Sequence, residues 1–285
     1  MMRIVVGLDI GGSAIKGGYF DGDQLKGTNR VPTFAFKGAS TVYRQIFSCV
    51  NGLLNSYGEI DAIGVVSAGD IGEDGTFVKV NNIPVLVGMN VKKRLEEDFH
   101  CSVVMENDAV GALVAEATRF PEAKRVTMLT FGTGLGCATL EEGRILHDEA
   151  SDYGHKPLIE GGRVCPCGKR GCAEMYLNTA SLKRLAFKAY GRNVSTFDLF
   201  DKARHQDKRA LEVVDQYGTW LRLLLKNVEN GLHPDRLILG GGIMGAKDIF
   251  EPRLGLAPNT YAFASFGNDA GIMGAKMLVQ KGESK

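Results

Sequence analysis

The chain has 285 residues, 44% of them apolar, so it can bury a large core as one big domain or two smaller ones and needs no metal merely to fold. Its 34 basic and 33 acidic residues leave a net charge of +1, and no long basic run marks a surface for nucleic acid. The conspicuous uncharged stretch at residues 126–140 is too short and too rich in Thr and Gly to span a bilayer.

Two strands around a glycine turn open the chain. "IVVGLDI" (4–10) is predicted to be a buried strand, "GGS" breaks it, and "AIKGGYF" (14–20) resumes before the turn "DGDQL". A shift of 121 residues brings the same design back in "LTFGTGLGCATLEEGRIL" (129–146), with Gly132 opposite Gly11 and Gly143 opposite Gly22. Such self-similarity predicts two lobes of similar plan.

Strands and helices alternate through the rest of the chain, which predicts an α/β protein. "AIGVV" (62–66) and "SVVME" (102–106) have the apolar, β-branched composition of strands, whereas residues 108–120 and 210–230 are predicted to be helices. Ser40 is predicted to cap an earlier helix. The apolar residues of that helix follow the i, i+3, i+4 rhythm: Val42, Ile46, Cys49, Val50, Leu53 and Leu54.

The first glycine turn, "DIGGSAIK", could hold phosphate. Its backbone N–H groups can approach phosphate oxygens, Lys16 adds a positive charge, and Asp9 can hold Mg²⁺ directly or through water. A tight hairpin turn with an incidental lysine is the better interpretation of one such turn alone. Glycine turns also follow at "FGTGLG" (131–136) and "LILGGGIM" (237–244), and three of them favour a bound nucleotide.

Three of the six cysteines cluster in "GHKPLIEGGRVCPCGKRGCAE" (154–174). The amino terminus lacks the length and cleavage region of a signal peptide, so we expect a cytoplasmic protein whose thiols stay reduced. His155 with Cys165, Cys167 and Cys172 supplies four ligands suited to tetrahedral Zn²⁺, which leaves no open position and predicts a structural site.

A redox switch is the alternative interpretation of this cluster. A disulfide would leave one cysteine unpaired and would close across one residue or a short loop. Three thiolates and a neutral imidazole give zinc a formal charge of −1, which Arg163, Lys169 and Arg170 are close enough in sequence to offset.

Six motifs in order, over nearly the whole chain, resemble the ROK family of bacterial sugar kinases and repressors. The cysteine motif is the most specific of them, and the glycine turns support it. The motifs are "DIGGSAIK", "ENDA", "TFGTGLG", the cysteine stretch, "LHPDRLILGGGI" and "FGNDAGIMGA".

This resemblance implies two actin-like (ribonuclease-H-like) lobes with a nucleotide and sugar cleft between them, and a homodimer. It implies ATP with Mg²⁺ and transfer of the γ-phosphoryl group to a hydroxyl, often O6, of a hexose such as glucose or of an N-acetylhexosamine. The lobes would be residues 1–120, with the sugar site and first phosphate loop, and 121–285, with the zinc and adenosine loops. The last helix is a candidate to pack back on the first lobe. The residues facing the nucleotide would be Asp9, Gly11, Gly12, Lys16, Thr133 and Gly134 at the phosphates, and Gly240, Gly241 and Gly242 near the adenosine.

Asp108 of "ENDA" is the candidate base that the resemblance implies, accepting the proton of the sugar hydroxyl. Without the motif, an ordinary helix N-cap would be the better interpretation of Asp108. The sugar ligands that the resemblance implies are Asn82, Asn107, Asp108, Asp152, His155 through its second ring nitrogen, and Glu174.

Two features depart from the family pattern. Asp152 stands where the family usually has glutamate, which shortens the side chain by one methylene, and residues 250–263 form a shorter segment than usual. A catalytically inactive sugar sensor therefore remains an alternative to a kinase. A transcriptional repressor is less expected, because "DIGG" begins at Asp9 and leaves no room for a preceding DNA-binding domain.

Overall fold

A computed structural model describes residues 4–80, 82–146 and 149–282. They form two compact units: unit 1 runs to Thr118 and resumes at Phe266, and unit 2 runs from Arg119 to Ser265. Among the described residues, none forms a helix both long and apolar enough to cross a membrane. The strands are β1 (Ile4–Ile10), β2 (Ala14–Asp21), β3 (Gln24–Pro32), β4 (Ala62–Ser67), β5 (Asp70–Ile71), β6 (Phe77–Lys79), β7 (Ser102–Asn107), β8 (Arg125–Phe131), β9 (Leu135–Glu141), β10 (Arg144–Leu146), β11 (Arg236–Gly240) and β12 (Tyr261–Phe263); the helices are α1 (Ala39–Tyr57), α2 (Val91–Phe99), α3 (Asp108–Ala117), α4 (Glu174–Leu177), α5 (Thr179–Tyr190), α6 (Thr196–Arg204), α7 (Lys208–Leu232), α8 (Lys247–Phe250) and α9 (Ala270–Gly282).

Unit 1 is built on a five-stranded sheet in the order β3-β2-β1-β4-β7. Strand β1 is antiparallel to β2 and parallel to β4. Side chains alternate between the faces of a strand. Accordingly Val6, Leu8 and Ile10 join the apolar cluster that includes α1, while Gly7 lies against α9 on the other face.

Unit 2 has a second sheet in the order β10-β9-β8-β11-β12. Its β8 and β9 are antiparallel, and β8 is parallel to β11, which repeats the pattern of β1, β2 and β4. Strand β8 begins and ends 121 residues after β1, so the predicted duplication is confirmed at the level of the strands. The hairpin between β2 and β3 turns at Gly22, with φ of 58°, and the hairpin between β9 and β10 turns at Gly143, with φ of 80°.

The predicted cap of α1 is wrong. The N-cap is Gly38, with φ of 98° and no side-chain cap, and Ser40 lies in the first helical turn. A tight turn from Phe34 to Lys37 immediately precedes Gly38 and brings the chain to the helix ahead of Ser40. The predicted apolar face is otherwise right: five of its six residues are buried, and Leu54 packs against the cluster.

The helix predicted over residues 108–120 ends earlier, at Ala117. Thr118 closes its last turn, with both its N–H and its hydroxyl donating to the Ala115 carbonyl. Pro121 follows three residues after Thr118 and disfavours helical geometry at Phe120. After the glycines of "LILGGG" the chain forms a 3-10 turn, Met244–Ala246, that leads into the short α8.

Helix α9 lies directly on the backbone of the unit 1 sheet. A Cβ added to Gly7 or Gly64 would overlap a carbonyl oxygen of α9, and one added to Gly274 would overlap the Gly111 carbonyl of α3. Only residues without a side chain permit these approaches. Glycines on β1, β4 and α9 therefore allow the last described helix to complete unit 1.

We expect Gly64→Ala to lower the free energy of unfolding by about 2 kcal/mol or more, because its methyl group would overlap the Ala275 carbonyl and α9 would have to move. Urea unfolding followed by circular dichroism measures the change. Gly245→Ala is the matched control, since no atom lies within 4 Å of its added Cβ. Equal stability of the two variants would contradict a tight seam under α9.

Candidate functional site

Asp9 and Lys16 form an ion pair beside the first glycine turn. Asp9 lies near the end of β1 with 23% of its side chain exposed, and the Lys16 ammonium on the paired strand lies 3.7 Å from its Oδ2. A Cβ at Gly271 would lie 2.6 Å from the same oxygen, so α9 covers the carboxylate. This loss of water raises the pKa of Asp9, and the Lys16 charge opposes the shift.

Asp108 is the first residue of α3, but it is not the cap. The N-cap is Asn107, whose side-chain oxygen accepts from the Ala109 N–H at 2.8 Å. The capping interpretation of Asp108 is therefore wrong, and its exposed carboxylate is available for other chemistry. Although the residue as a whole is exposed, the protein groups around its carboxylate displace water, which raises the pKa of Asp108, and the nearby Asp9 charge raises it further. The backbone N–H groups of Ala109 and Asp108 oppose this shift.

Asn107 already has structural partners. Besides capping α3, its Nδ2 donates to the Gly69 carbonyl at 2.9 Å. An amide has two N–H donors and two oxygen lone pairs, so one of each remains by valence for a ligand.

The first glycine turn contacts the predicted sugar asparagine. The Gly11 N–H donates to Ala14 across the turn, and the Thr33 hydroxyl donates to the Gly11 carbonyl. Exposed Asn82 packs over Gly12, where an added Cβ would lie 3.1 Å from the asparagine Cβ. Within the described part of the chain, the N–H groups of Gly12 and Ser13 donate to no protein acceptor. Such groups can receive an anion.

The second glycine turn lies between β8 and β9 of unit 2. The Gly132 N–H donates to the Gly134 carbonyl at 3.0 Å, and Thr179 donates to the Gly132 carbonyl through both its N–H and its hydroxyl at 2.8 Å. The N–H groups of Thr133 and Gly134 donate to no acceptor among the residues that the structure describes. This turn therefore presents donors much as the first one does.

The third glycine turn packs against the second. Gly241 has φ of 86°, and its Cα lies so close to Phe131 that a Cβ would overlap that residue's backbone. The Ile243 N–H donates to the Phe131 carbonyl at 3.1 Å. A Cβ at Gly240 would lie 2.7 Å from Met128 Cε, whereas Gly242 has nothing within 4 Å.

His155, Cys165, Cys167 and Cys172 come together as one cluster, with their ligand atoms all within 4.8 Å of one another. The His155 Nδ1 lies 3.5 Å from the Cys165 Sγ, and the Cys167 and Cys172 sulfurs are 3.6 Å apart. Neighbouring ligands of tetrahedral zinc, with bonds of about 2.0–2.3 Å, lie roughly 3.5–3.8 Å apart. The donor set and the spacing both fit zinc.

The thiols of this cluster differ in acidity. Burial raises the pKa of Cys165 and raises that of Cys172 to about 12, whereas the backbone N–H of Lys169 lowers the pKa of Cys167. A metal binds the thiolate, so a cation has to displace protons from the two buried sulfurs. Burial therefore disfavours a reactive thiolate at Cys165 and Cys172, whereas the less buried Cys167 is the most acidic thiol of the three.

The basic residues near the cluster have other partners. Arg163 donates to the Met175 carbonyl at 2.6 Å and to the Ser181 hydroxyl at 2.9 Å, and its guanidinium stacks on Tyr176 and Trp220. It therefore anchors the loop to α4, α5 and α7. The Lys169 ammonium lies 3.9 Å from Asp152 Oδ2, an exposed contact beside the cluster.

Glu174 has a contact that the motif did not predict. It is half-buried at the start of α4, and its Oε2 accepts from the Leu135 N–H at 3.0 Å, directly after the second glycine turn. Nothing in the sequence pairs residues 39 positions apart. The family resemblance had implied a sugar contact for Glu174 and no contact with Leu135.

The predicted site residues fall into one group in each unit. Unit 1 holds Asp9, Gly11, Gly12, Lys16, Asn82, Asn107 and Asp108. Unit 2 holds Thr133, Gly134, Asp152, His155, the three cysteines, Glu174 and Gly240, Gly241 and Gly242.

Residues 5–282 match the model of the ROK family. The chain belongs to this family. It is 28% identical to a glucokinase from Halalkalibacterium halodurans, covering 99% of this chain and 96% of the relative, and 27% identical to an N-acetyl-D-glucosamine kinase from Vibrio atlanticus, covering 95% and 98%. A crystal structure of a ROK hexokinase from Thermus thermophilus matches with a TM-score of 0.87 at 28% identity, covering 99% and 100%. The expected actin-like fold is thereby confirmed.

For this ROK chain we expect about one zinc per polypeptide, lost in Cys172→Ala together with part of the thermal stability, because the cluster supplies four ligands of suitable spacing. Inductively coupled plasma mass spectrometry and thermal melting measure both. Cys49→Ala, a buried cysteine of α1, should keep the metal. A metal-free protein whose mass shows a disulfide within residues 165–172 would favour the redox interpretation instead.

Proposed function

We propose that the chain is an ATP-dependent sugar kinase that transfers the γ-phosphoryl group to a hydroxyl, O6 in a hexose or an N-acetylhexosamine. The observation that carries the proposal is the placement of Asp108, which lies exposed at the start of α3 while Asn107 takes the cap. The nearby Asp9 charge contributes to the raised pKa of Asp108. Relatives of this chain are named as sugar kinases, one a glucokinase and another an N-acetyl-D-glucosamine kinase, which supports the proposal.

Asp108 acts as the base in this proposal. The sugar oxygen forms a bond to the γ-phosphorus as the bond from that phosphorus to the β-bridging oxygen breaks, and ADP leaves. The hydroxyl proton passes to the Asp108 carboxylate. A raised pKa makes that carboxylate a better proton acceptor than an ordinary surface aspartate.

Asp9, Lys16 and the two glycine turns support the phosphates. Asp9 would hold Mg²⁺ directly or through water, where the ion would offset phosphate charge. The Lys16 ammonium, 3.7 Å from Asp9, adds a second positive charge. The N–H groups of Gly12, Ser13, Thr133 and Gly134 supply donors, and the turn at Gly240–Gly242 receives the adenosine.

The sugar is held by hydrogen-bonding side chains, which reject analogues that lack the matching hydroxyl. Asn82 and Asn107 supply amides in unit 1, beside Asp108. Glu174, His155 and Asp152 supply acceptors and donors in unit 2, with the zinc cluster holding His155. Zinc removal should therefore weaken sugar binding as well as lower stability.

We expect ADP release with at least one sugar in a coupled assay across glucose, fructose, mannose, allose, N-acetylglucosamine and N-acetylmannosamine. Mass spectrometry of the product should show a sugar monophosphate, and phosphorus–proton coupling in its NMR spectrum should place the phosphate on O6. Saturable binding of a sugar without turnover would instead favour the inactive sensor. If the chain neither bound nor phosphorylated any of the six sugars, both the kinase function and the sensor function would be contradicted.

With the accepted sugar, Asp108→Asn should lower kcat by about 10²–10⁴-fold while nucleotide affinity stays near the wild-type value, because the amide cannot accept the proton. Steady-state kinetics and calorimetry measure the two quantities. The wild-type kcat/KM should fall on acidification through a pKa above the ordinary 3.8 of aspartate, since the base must be ionised and its pKa is raised.

Asp198→Asn is the matched control for that variant. Asp198 also lies in the first turn of a helix, α6, and loses the same favourable interaction with the helix dipole when neutralised. Its kcat should remain near wild type. Substantial turnover by Asp108→Asn would remove Asp108 from the role of base.

A further inference from the structure

The second glycine turn (131–136) and the zinc loop, the segment 154–174 that carries His155 and the three clustered cysteines, meet at one residue, Leu135. It is the first residue of β9, directly after Gly134. Its N–H donates to Glu174 Oε2 at 3.0 Å, and the same oxygen would lie 2.7 Å from a Cβ added at Gly134. The carboxylate thus lies against the turn itself.

The zinc loop also touches the other side of Leu135. Gly154 approaches its carbonyl oxygen so closely that a Cβ at Gly154 would overlap it. Gly154 directly precedes the ligand His155, and Glu174 comes two residues after the ligand Cys172. The two ends of the metal-binding segment therefore lie against the same residue, one accepting a hydrogen bond from its N–H and the other packed against its C=O.

We propose that Glu174 is a positioning residue for the phosphoryl donor, holding the second glycine turn in the conformation that binds nucleotide phosphates. The inference deepens the proposed kinase function and rests on it. The zinc loop then acts on both substrates, since it carries sugar ligands and also fixes the phosphate turn.

The chemistry of the carboxylate permits both roles. Two oxygens provide about four acceptor positions, and the Leu135 N–H uses one of them, so a sugar hydroxyl can bind the same group. A hydrogen bond from an amide to a charged carboxylate is stronger than a neutral one. The Leu135 N–H is thereby occupied, which leaves the donors of Thr133 and Gly134 for phosphate.

The positioning role and simple charge repulsion predict different effects of Glu174 on nucleotide binding. A carboxylate beside a phosphate site repels the anion, so neutralising Glu174 without changing its shape should leave nucleotide affinity unchanged or improve it if charge alone mattered. If the hydrogen bond to Leu135 positions the turn, removing the side chain should weaken nucleotide binding despite the lost repulsion. Glu174→Gln and Glu174→Ala separate these effects, because glutamine retains an acceptor oxygen.

Calorimetry with the magnesium complex of a non-hydrolysable ATP analogue, in the absence of sugar, is the binding test. We expect Glu174→Ala to weaken binding about tenfold, as expected for loss of a hydrogen bond to a charged group, and Glu174→Gln to stay within about twofold of wild type. Glu160→Ala is the matched control, since Glu160 is an exposed glutamate of the same loop. It should bind like wild type.

Hydrogen exchange of the Leu135 amide gives a second readout that needs no kinase activity. It should be faster in Glu174→Ala and near wild type in Glu174→Gln. Zinc content is measured first. If Glu174→Ala loses the metal, Glu174→Asp replaces it, because the shorter acid keeps the charge but falls one methylene short of Leu135.

The outcomes are separable. Unchanged exchange at Leu135 in the truncated variant overturns the positioning role, and so does faster exchange with unchanged nucleotide affinity. Equal weakening in Glu174→Gln and Glu174→Ala also overturns it, since the retained acceptor would then be irrelevant. A wild-type chain that binds no nucleotide refutes the donor role together with the proposed function, whereas a chain that binds nucleotide but phosphorylates no sugar refutes the proposed function alone.

Discussion

The contact on which unit 1 depends is the backbone approach of α9 to β1 and β4. Gly7 and Gly64 leave no room for a side chain beneath the helix, and Gly274 gives the same closeness to α3. The helix therefore lies low enough for Gly271 to cover Asp9, which removes water from that carboxylate and raises its pKa. A packing constraint between distant parts of the chain thus sets the electrostatics of a candidate phosphate site.

The two glycine turns share a plan but have different supports. In unit 1 the Thr33 hydroxyl and the Asn82 loop lie against the turn, and both are neutral groups. In unit 2 Thr179 holds the Gly132 carbonyl, while the acceptor on the far side is the charged Glu174. The two units therefore share their strands and turns but differ in the contacts around those turns.

Much of this architecture could be predicted, because it depends on local patterns. Apolar runs mark the buried strands, and the 121-residue repeat follows from glycines that the turns require. Prediction was wrong at the α1 cap, where the turn before Gly38 competes and Gly38 takes the place expected of Ser40. At α3 the cap is Asn107, which removes the capping alternative for Asp108. The Glu174 contact was missed because its partner is remote in sequence, and residue type says nothing about such a pairing.

Within the zinc loop, the side chains differ in how firmly they are held. Glu174 is half-buried and bonded to a backbone N–H, so moving it would disturb the turn. Asp152 is 49% exposed and lies 3.9 Å from the 57% exposed Lys169, and such surface pairs contribute little. Exchanging that pair for a sugar hydroxyl therefore costs little energy. In the proposed kinase, a change at Asp152 would therefore alter sugar specificity while leaving the contact between Glu174 and Leu135 in place.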